Sequence, residues 1–121
     1  MRRMVALALC VAVLACGGAP GRNIGWVDSL ADVDTASPEG TVIDFSCPAG
    51  GNTSATVWGT GLYTDDSAIC PAAVHAGRIT AYSGGTATIR VEAGQSSYTG
   101  TTSNGVTTLS FASWPRSFTF P

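Results

Sequence analysis

The stretch Asp66-Ser-Ala-Ile-Cys-Pro-Ala-Ala-Val-His-Ala-Gly77 decides the fold, because it is where helical spacing interrupts a chain otherwise patterned as strands. Its small or apolar side chains recur at helical spacing, at Ile69, Ala72, Ala73 and Ala76. Asp66 or Ser67 is placed to cap its start and Gly77 to end it, which predicts a helix of about two to three turns. Because this helix is small or apolar on nearly every side, we expect strands to enclose it.

Runs with a period of two flank this helix, which is typical of short β-strands. They cover residues 41–47, 55–60, 86–92, 105–111 and 117–120. Alternation places one set of side chains toward the core, namely Ile43, Phe45, Cys47, Ala87, Ile89, Val91, Leu109, Phe111, Phe118 and Phe120. The sequence therefore predicts an α+β fold that is mostly β.

The N-terminus carries an export signal. Arg2 and Arg3 precede an apolar run at residues 4–15, which is too short to span a bilayer. We interpret residues 1–15 as a lipoprotein signal peptide, with a diacylglycerol attached to the Cys16 thiol. Ordinary secretory cleavage near Ala19 is the alternative. Residues 16–40 are predicted to be a tether or linker, and residues 41–121 the folded domain.

Export from the cytoplasm is expected whichever of the two cleavage sites is used. The expected location is the cell envelope, where the lipid anchors the protein to a membrane, or otherwise a secreted or periplasmic state. Gly17 stands where an aspartate would favour retention in the inner membrane, so the outer membrane is preferred. The oligomeric state is left open.

Charge excludes nucleic acid as a partner. The chain is 45% hydrophobic and 12% charged, and it contains no lysine. After removal of the leader, four arginines oppose eight acidic residues, so 4 − 8 gives a net charge of −4. A negative domain does not attract a phosphate backbone.

Two cysteines fall inside the predicted domain. Cys47 lies on the inward face of the first predicted strand, and Cys70 lies at the start of the predicted helix. In an oxidising compartment a disulfide between them is expected. The alternative is a pair of metal thiolates, but His75 is the only histidine and no CxxC spacing occurs. We therefore expect neither a metal nor a cofactor.

A catalytic set can be imagined from Ser67, His75 and the adjacent Asp65 and Asp66. Ser67 and His75 are eight residues apart, which corresponds to about 12 Å along a helix. This separation prevents a direct hydrogen bond between nucleophile and base. The sequence thus predicts a protein that is not an enzyme.

The chain from residue 41 onward resembles the LCCL domain family. The resemblance is carried by Phe45-Ser-Cys-Pro-Ala-Gly50 and by Val57-Trp-Gly-Thr-Gly-Leu-Tyr-Thr-Asp-Asp-Ser-Ala-Ile-Cys-Pro-Ala-Ala-Val-His-Ala-Gly77. It implies antiparallel strands wrapped around one short central helix, and a module without catalytic activity. Animal members pair the second cysteine of a Cys-Pro-x-x-Cys stretch with the cysteine before the helix. Gly51 stands at that position here, so the pairing of Cys47 with Cys70 is not inherited from them.

The resemblance also suggests ligand recognition outside the cell, by analogy of family alone. We expect an envelope or extracellular glycan or lipid of the lipopolysaccharide type. Arg78, Arg116 and Tyr98 are the candidate binding residues, and Tyr98 is expected in an exposed loop from Gly94 to Gly105. A lipopolysaccharide site requires Arg78, Arg90 and Arg116 to converge. The alternative is a structural role, in which the domain contacts a partner protein and takes no small ligand.

Overall fold

The computed structural model describes residues 21–121. The predicted signal peptide and Cys16 lie outside the described residues. The helices are α1 (Leu30–Val33) and α2 (Ile69–His75). The strands are β1 (Arg22–Asn23), β2 (Val42–Cys47), β3 (Gly59–Thr60), β4 (Leu62–Thr64), β5 (Gly85–Gln95), β6 (Thr102–Ser103), β7 (Val106–Thr107) and β8 (Trp114–Thr119).

A six-stranded sheet forms the frame of the domain, in the order β1-β2-β5-β8-β4-β3. Its neighbouring strands are antiparallel except β1 and β2, which run parallel. The short strands β6 and β7 pair separately as a hairpin. The predicted α+β fold with a majority of β-structure is confirmed.

One face of the sheet carries the hydrophobic core. Phe45 lies opposite Ala87 across β2 and β5, and Val91 lies opposite Phe118 across β5 and β8. Tyr63 of β4 continues the same row beside Phe118. These side chains are buried, and removing their apolar surface from water is the main stabilising contribution. The inward direction predicted for Phe45, Ala87, Val91 and Phe118 is confirmed, whereas no alternation pattern predicted it for Tyr63.

Helix α2 lies against this face, and all of its residues from Ile69 to His75 are buried. The predicted enclosure is therefore confirmed. Its predicted cap is wrong: the N-cap is Ala68, which makes no side-chain hydrogen bond. The Ile69 N–H instead donates to the carbonyl of Asp28 at 3.0 Å. A backbone carbonyl from a distant segment thus satisfies a group that a serine or aspartate usually serves.

Ser67 has a different role from the predicted cap. Its hydroxyl accepts the N–H of Trp58 at 2.9 Å and shares a hydrogen bond with the Thr64 hydroxyl at 2.9 Å. Ser67 is fully buried. It therefore joins the end of β4 to the segment before β3.

Residues 21–40 belong to the domain, so the linker predicted to reach residue 40 is wrong for this part. Strand β1 pairs with β2, and Leu30 at the start of α1 is fully buried. Ser29 and Asp32 form a reciprocal capping box that fixes α1. The Trp26 indole lies over Gly51, where a Cβ atom would come within 1.9 Å of the ring. Burial of Leu30 and this ring contact hold residues 21–40 on the domain, although their composition predicted a solvent-exposed linker.

The segment after β7 also departs from prediction. Leu109 and Phe111, predicted to face inward, are 50% and 42% exposed. Val106 and Thr108 occupy the interior instead, each 4% exposed. The Thr108 hydroxyl accepts the Thr101 N–H at 3.0 Å, so a polar side chain can be buried at this position.

The disulfide predicted between Cys47 and Cys70 is confirmed. Both cysteines are buried, and the bridge ties the end of β2 to the start of α2. Within residues 21–121, no helix has the length and apolar character needed to cross a membrane.

Candidate ligand-binding groove

A groove of about 400 Å³ opens at the C-terminal end of α2. Its walls carry two hydroxyls, one amide and several small or aliphatic groups, from Thr53, Val74, Gly77, Ile79, Thr80, Ala81 and Asn104. This volume is within the range of sites for small ligands. None of the lining residues is ionisable.

The end of α2 shapes one side of this groove. Gly77 adopts a positive φ of 76°, a conformation that other residues reach only with strain. The Arg78 N–H donates to the Ala73 carbonyl, and the Gly77 N–H donates to the Val74 carbonyl, each at 2.9 Å. This pair of bonds is the Schellman motif, which ends the helix and turns the chain toward Ile79. The predicted helix end at Gly77 is confirmed.

Asn104, at the turn between β6 and β7, forms the opposite wall. Its side-chain amide donates to the His75 carbonyl at 3.0 Å. Asn104 itself has a positive φ of 51°, which asparagine tolerates better than most residues. The hairpin turn is thereby attached to the last turn of α2.

A buried hydrogen-bond network lies beneath this wall. His75 is 2% exposed, and its Nε2 lies 3.3 Å from the Thr101 carbonyl and 3.0 Å from the Thr101 hydroxyl. Because a carbonyl only accepts, we assign the proton to Nε2, which makes Nδ1 the acceptor for the Tyr63 hydroxyl at 2.9 Å. Burial raises the pKa of Tyr63 above its usual value of 10.0, with the Gly61 N–H and the Arg78 charge opposing it. The phenol therefore stays protonated as a donor.

The loop between α2 and β5 closes the groove. The Gly50 N–H donates to the Tyr82 carbonyl and the Gly51 N–H to the Ala81 carbonyl, so two backbone bonds fix this loop. Tyr82 follows the groove residue Ala81 in the chain and is 89% exposed, but it does not itself line the groove. Sequence reasoning missed Tyr82, although the Ser83, Gly84 and Gly85 that follow it are typical of a turn.

The predicted site residues do not form one site. Arg78, next to the groove, donates to the carbonyls of Phe120 and Pro121 at 2.8 and 3.1 Å. Arg116 donates to the carbonyls of Asp34 and Ser37 at 2.8 and 2.9 Å.

Tyr98, expected in an exposed loop, is 5% exposed. Its hydroxyl contacts Ser117 and accepts the Gln95 N–H, so the loop folds back over the sheet. The predicted exposure of Tyr98 is wrong.

The arginines also diverge. Arg90 lies opposite Thr119, and Arg116 lies three residues before Thr119 in the same strand, so their side chains project from opposite faces of the sheet. Arg90 pairs with Glu92 at 2.7 Å, as expected for two neighbours on an outer face. Arg78 contacts the carbonyl of Phe120, just after the end of β8, and so lies apart from both other arginines.

The imagined catalytic set is likewise divided among separate contacts. Ser67 is bonded to Thr64 and Trp58, whereas His75 is bonded to Tyr63 and Thr101. Asp65 accepts the Trp114 indole N–H at 2.7 Å. Within residues 21–121, no three His, Cys, Asp or Glu side chains are grouped to hold a metal ion.

Comparison with known proteins identifies the family. Residues 24–118 match the LCCL domain. The chain belongs to this family. Its LCCL domain is 47% identical over 73 residues to vitrin of Mus musculus, covering 60% of this chain and 11% of that protein. It is 38% identical over 94 residues to clotting factor C of Tachypleus tridentatus, covering 77% of this chain and 9% of that protein.

The chain thus spans about a tenth of the length of these relatives. The similarity concerns the LCCL domain and not the remainder of either protein. The family match begins at residue 24, in the segment that the structure also shows packed on the domain.

Proposed function

We propose that this LCCL domain is a non-catalytic recognition module of the cell envelope, and that the groove at the end of α2 binds an uncharged sugar of a glycan. The observation that supports it most directly is the chemistry of the groove. Thr53, Thr80 and Asn104 bring hydroxyl and amide groups to the groove lining, and Val74 and Ile79 bring aliphatic groups. Sugars present both hydroxyl groups and apolar C–H faces, so such a lining is complementary to them.

Tyr82 adds a feature suited to the same ligand. Tyr82 is 89% exposed and adjoins the groove residue Ala81 in the chain, so it offers an apolar ring face together with a polar hydroxyl. Two backbone hydrogen bonds fix the loop that carries it, so little further ordering is needed on binding.

Charge favours a neutral ligand over the phosphates of a lipopolysaccharide. All four arginines in residues 21–121 already contact carbonyls or carboxylates. Eight acidic residues oppose these four arginines, which gives the described residues a net charge of −4. A phosphate ligand would have to break existing contacts and approach against this charge.

Location outside the cytoplasm is the second half of the proposal. The predicted signal peptide and lipidation at Cys16 would place the module on the envelope. The Cys47–Cys70 disulfide is typical of oxidising compartments. One relative is named a clotting factor, in keeping with recognition outside cells.

Calorimetric titration with neutral oligosaccharides released from envelope polysaccharide tests the ligand. We expect Tyr82→Ala and Asn104→Ala each to weaken binding by about tenfold, which corresponds to about 1.4 kcal/mol. Val27→Ser is the matched control, because Val27 is 73% exposed and does not line the groove.

A second titration compares lipopolysaccharide with its dephosphorylated form. Equal affinity for the two forms supports an uncharged ligand. Binding that requires the phosphates would overturn the proposal, as would binding that Tyr82→Ala leaves unchanged. Mass spectrometry of the native protein tests separately whether the Cys16 thiol carries a diacylglycerol.

A further inference from the structure

Four large apolar side chains gather near the N-terminal end of α2 and form what we call the aromatic surface: Trp58, Leu109, Phe111 and Trp114. Phe111 lies between the two indoles, with ring centroids 6.3 Å from Trp58 and 5.6 Å from Trp114. Leu109 and Phe111 are 50% and 42% exposed, and they rank among the large apolar residues left open to solvent. Clustered exposure of this kind marks an interaction surface.

The aromatic surface is held firmly from below. The Leu109 N–H donates to the Val57 carbonyl at 2.8 Å, and the Gly59 N–H donates to the Leu109 carbonyl at 3.0 Å. The Trp114 indole N–H donates to the Asp65 carboxylate at 2.7 Å. The exposed Phe111 ring and the two half-buried indoles are therefore presented in a fixed arrangement.

Charge restricts the partner. No charged residue occurs from residue 93 to residue 115, a stretch that includes three of the four members of the aromatic surface. The nearby Asp65 carboxylate is bonded to Trp114 and lies 3.4 Å from the Arg116 guanidinium. The net charge of −4 disfavours a surface of anionic lipids. Tryptophan rings beside a carboxylate that is already paired suit the interface of a zwitterionic bilayer.

The location of the aromatic surface in the fold also favours a membrane as its partner. The aromatic surface lies near the start of α2, whereas the groove lies at its end, about 10 Å away along a seven-residue helix. Arg22 pairs with Asp34, Arg116 donates to the Asp34 carbonyl, and Asp65 connects Arg116 to Trp114. These contacts connect the N-terminal strand to the aromatic surface.

Chain length brings the membrane within reach. Cys16 lies five residues before Gly21, a distance of at most about 18 Å when extended. A lipid at Cys16 would therefore hold β1 close to the bilayer.

From these observations we infer that the aromatic surface docks on a zwitterionic phospholipid bilayer and leaves the groove facing away from the membrane. Leu109 and Phe111 enter the interface, and the indoles of Trp58 and Trp114 lie at headgroup level. The docked orientation rests on the lipid anchor of the proposed function, whereas the contact itself depends only on the described residues.

The test uses the mature chain from Gly17, exported behind a cleavable leader so that no lipid is attached. Co-sedimentation with phosphatidylcholine vesicles should recover the protein, and tryptophan emission should shift to shorter wavelength. Leu109→Ser with Phe111→Ser should lower the vesicle partition coefficient by about tenfold. Leu109→Ser alone, which removes no ring contact, should lower it by a smaller factor.

Val27→Ser provides the matched control, because it removes an exposed apolar side chain that is not a member of the aromatic surface. The inference fails if Val27→Ser reduces partition as much as Leu109→Ser, or if only phosphatidylglycerol vesicles bind. It also fails if the aromatic surface instead mediates self-association or binds a soluble glycan without vesicles. Tyr82→Ala should leave vesicle binding intact, so failure here is distinguishable from failure of the groove to bind sugar.

Discussion

The two ends of α2 are built in opposite ways. At the C-terminal end, Gly77 stops the helix with local backbone bonds, and the groove opens beside it. At the N-terminal end no side chain caps the helix, and its first amide reaches the carbonyl of Asp28. Because all seven helical residues are buried, the helix itself contributes only Val74 to the lining of the groove. The groove and the aromatic surface that we propose for recognition are built mainly from the segments around its two ends.

The disulfide at the N-terminal end should give the largest effect on stability. Cys47→Ala with Cys70→Ala opens a bridge across 23 residues of sequence. On the chain-entropy model this costs about 3 kcal/mol, and the two cavities left in the core add to it. Urea unfolding with and without a reducing agent measures the loss. An unchanged midpoint would mean that the bridge does not secure this end.

Substitution of Gly77 at the C-terminal end of α2 should give the second largest loss of stability. Gly77→Val forces a β-branched residue into a left-handed conformation at φ 76°, which should cost about 2–3 kcal/mol. Gly77→Asn is the matched variant, because asparagine tolerates that conformation, and it should cost about 1 kcal/mol. Thermal melting compares the two. Equal melting temperatures for the valine and asparagine variants would contradict the role assigned to Gly77.

The network beneath the groove wall should give a smaller change. Tyr63→Phe removes the donor to His75 Nδ1 and leaves a buried acceptor unpaired, at a cost of about 1–2 kcal/mol. Tyr82→Phe is the control, since Tyr82 is 89% exposed and should change stability by less than about 0.5 kcal/mol. Chemical denaturation of both variants measures the difference. A loss of the same size in both would show that the network does not stabilise the wall.

Protonation of Asp34 at low pH should give the smallest of these losses in the free energy of unfolding. The Ser37 N–H, with help from the Ser37 hydroxyl, Arg22 and the Ala36 N–H, lowers the pKa of Asp34 from 3.8 to about 2, although burial opposes the shift. A lowered carboxyl pKa adds stability above about pH 4 and loses it as the pH falls toward 2.

We expect a decrease on the order of 1 kcal/mol between these pH values, and a smaller decrease in Asp34→Asn. Denaturation midpoints at pH 4 and pH 2 check this. An equal decrease in both proteins would assign the acid sensitivity to other groups.

The core of the fold could be predicted because its patterns are simple. Helical spacing identified α2, alternation identified β2 and β5, and the inward side of Cys47 identified the disulfide. Each of these features depends on which side chains share one face of a single helix or strand, and the spacing of apolar residues in the sequence shows this.

The features that sequence reasoning missed depend on distant contacts. Tyr98 lies in a stretch of Ser and Thr residues, and its burial depends on Ser117, 19 residues away. Leu109 and Phe111 alternate with polar residues, yet Thr108 takes the interior, in register with Val106, and Thr101 satisfies its hydroxyl. The segment before residue 41 had one usable signal, the Ser29 and Asp32 spacing of a capping box. No local pattern marks the groove, because three separate segments supply its walls.

The hydrogen bond from Ile69 to Asp28 bears on how short a working fragment of this protein can be. A chain trimmed to begin at residue 41 would keep every residue of the disulfide and of α2, yet it would strip the acceptor from the helix's first amide and expose the site that Leu30 fills. Such a fragment should be poorly soluble, because Ile69 and its apolar neighbours would face water. The shortest useful boundary for expression therefore precedes Arg22.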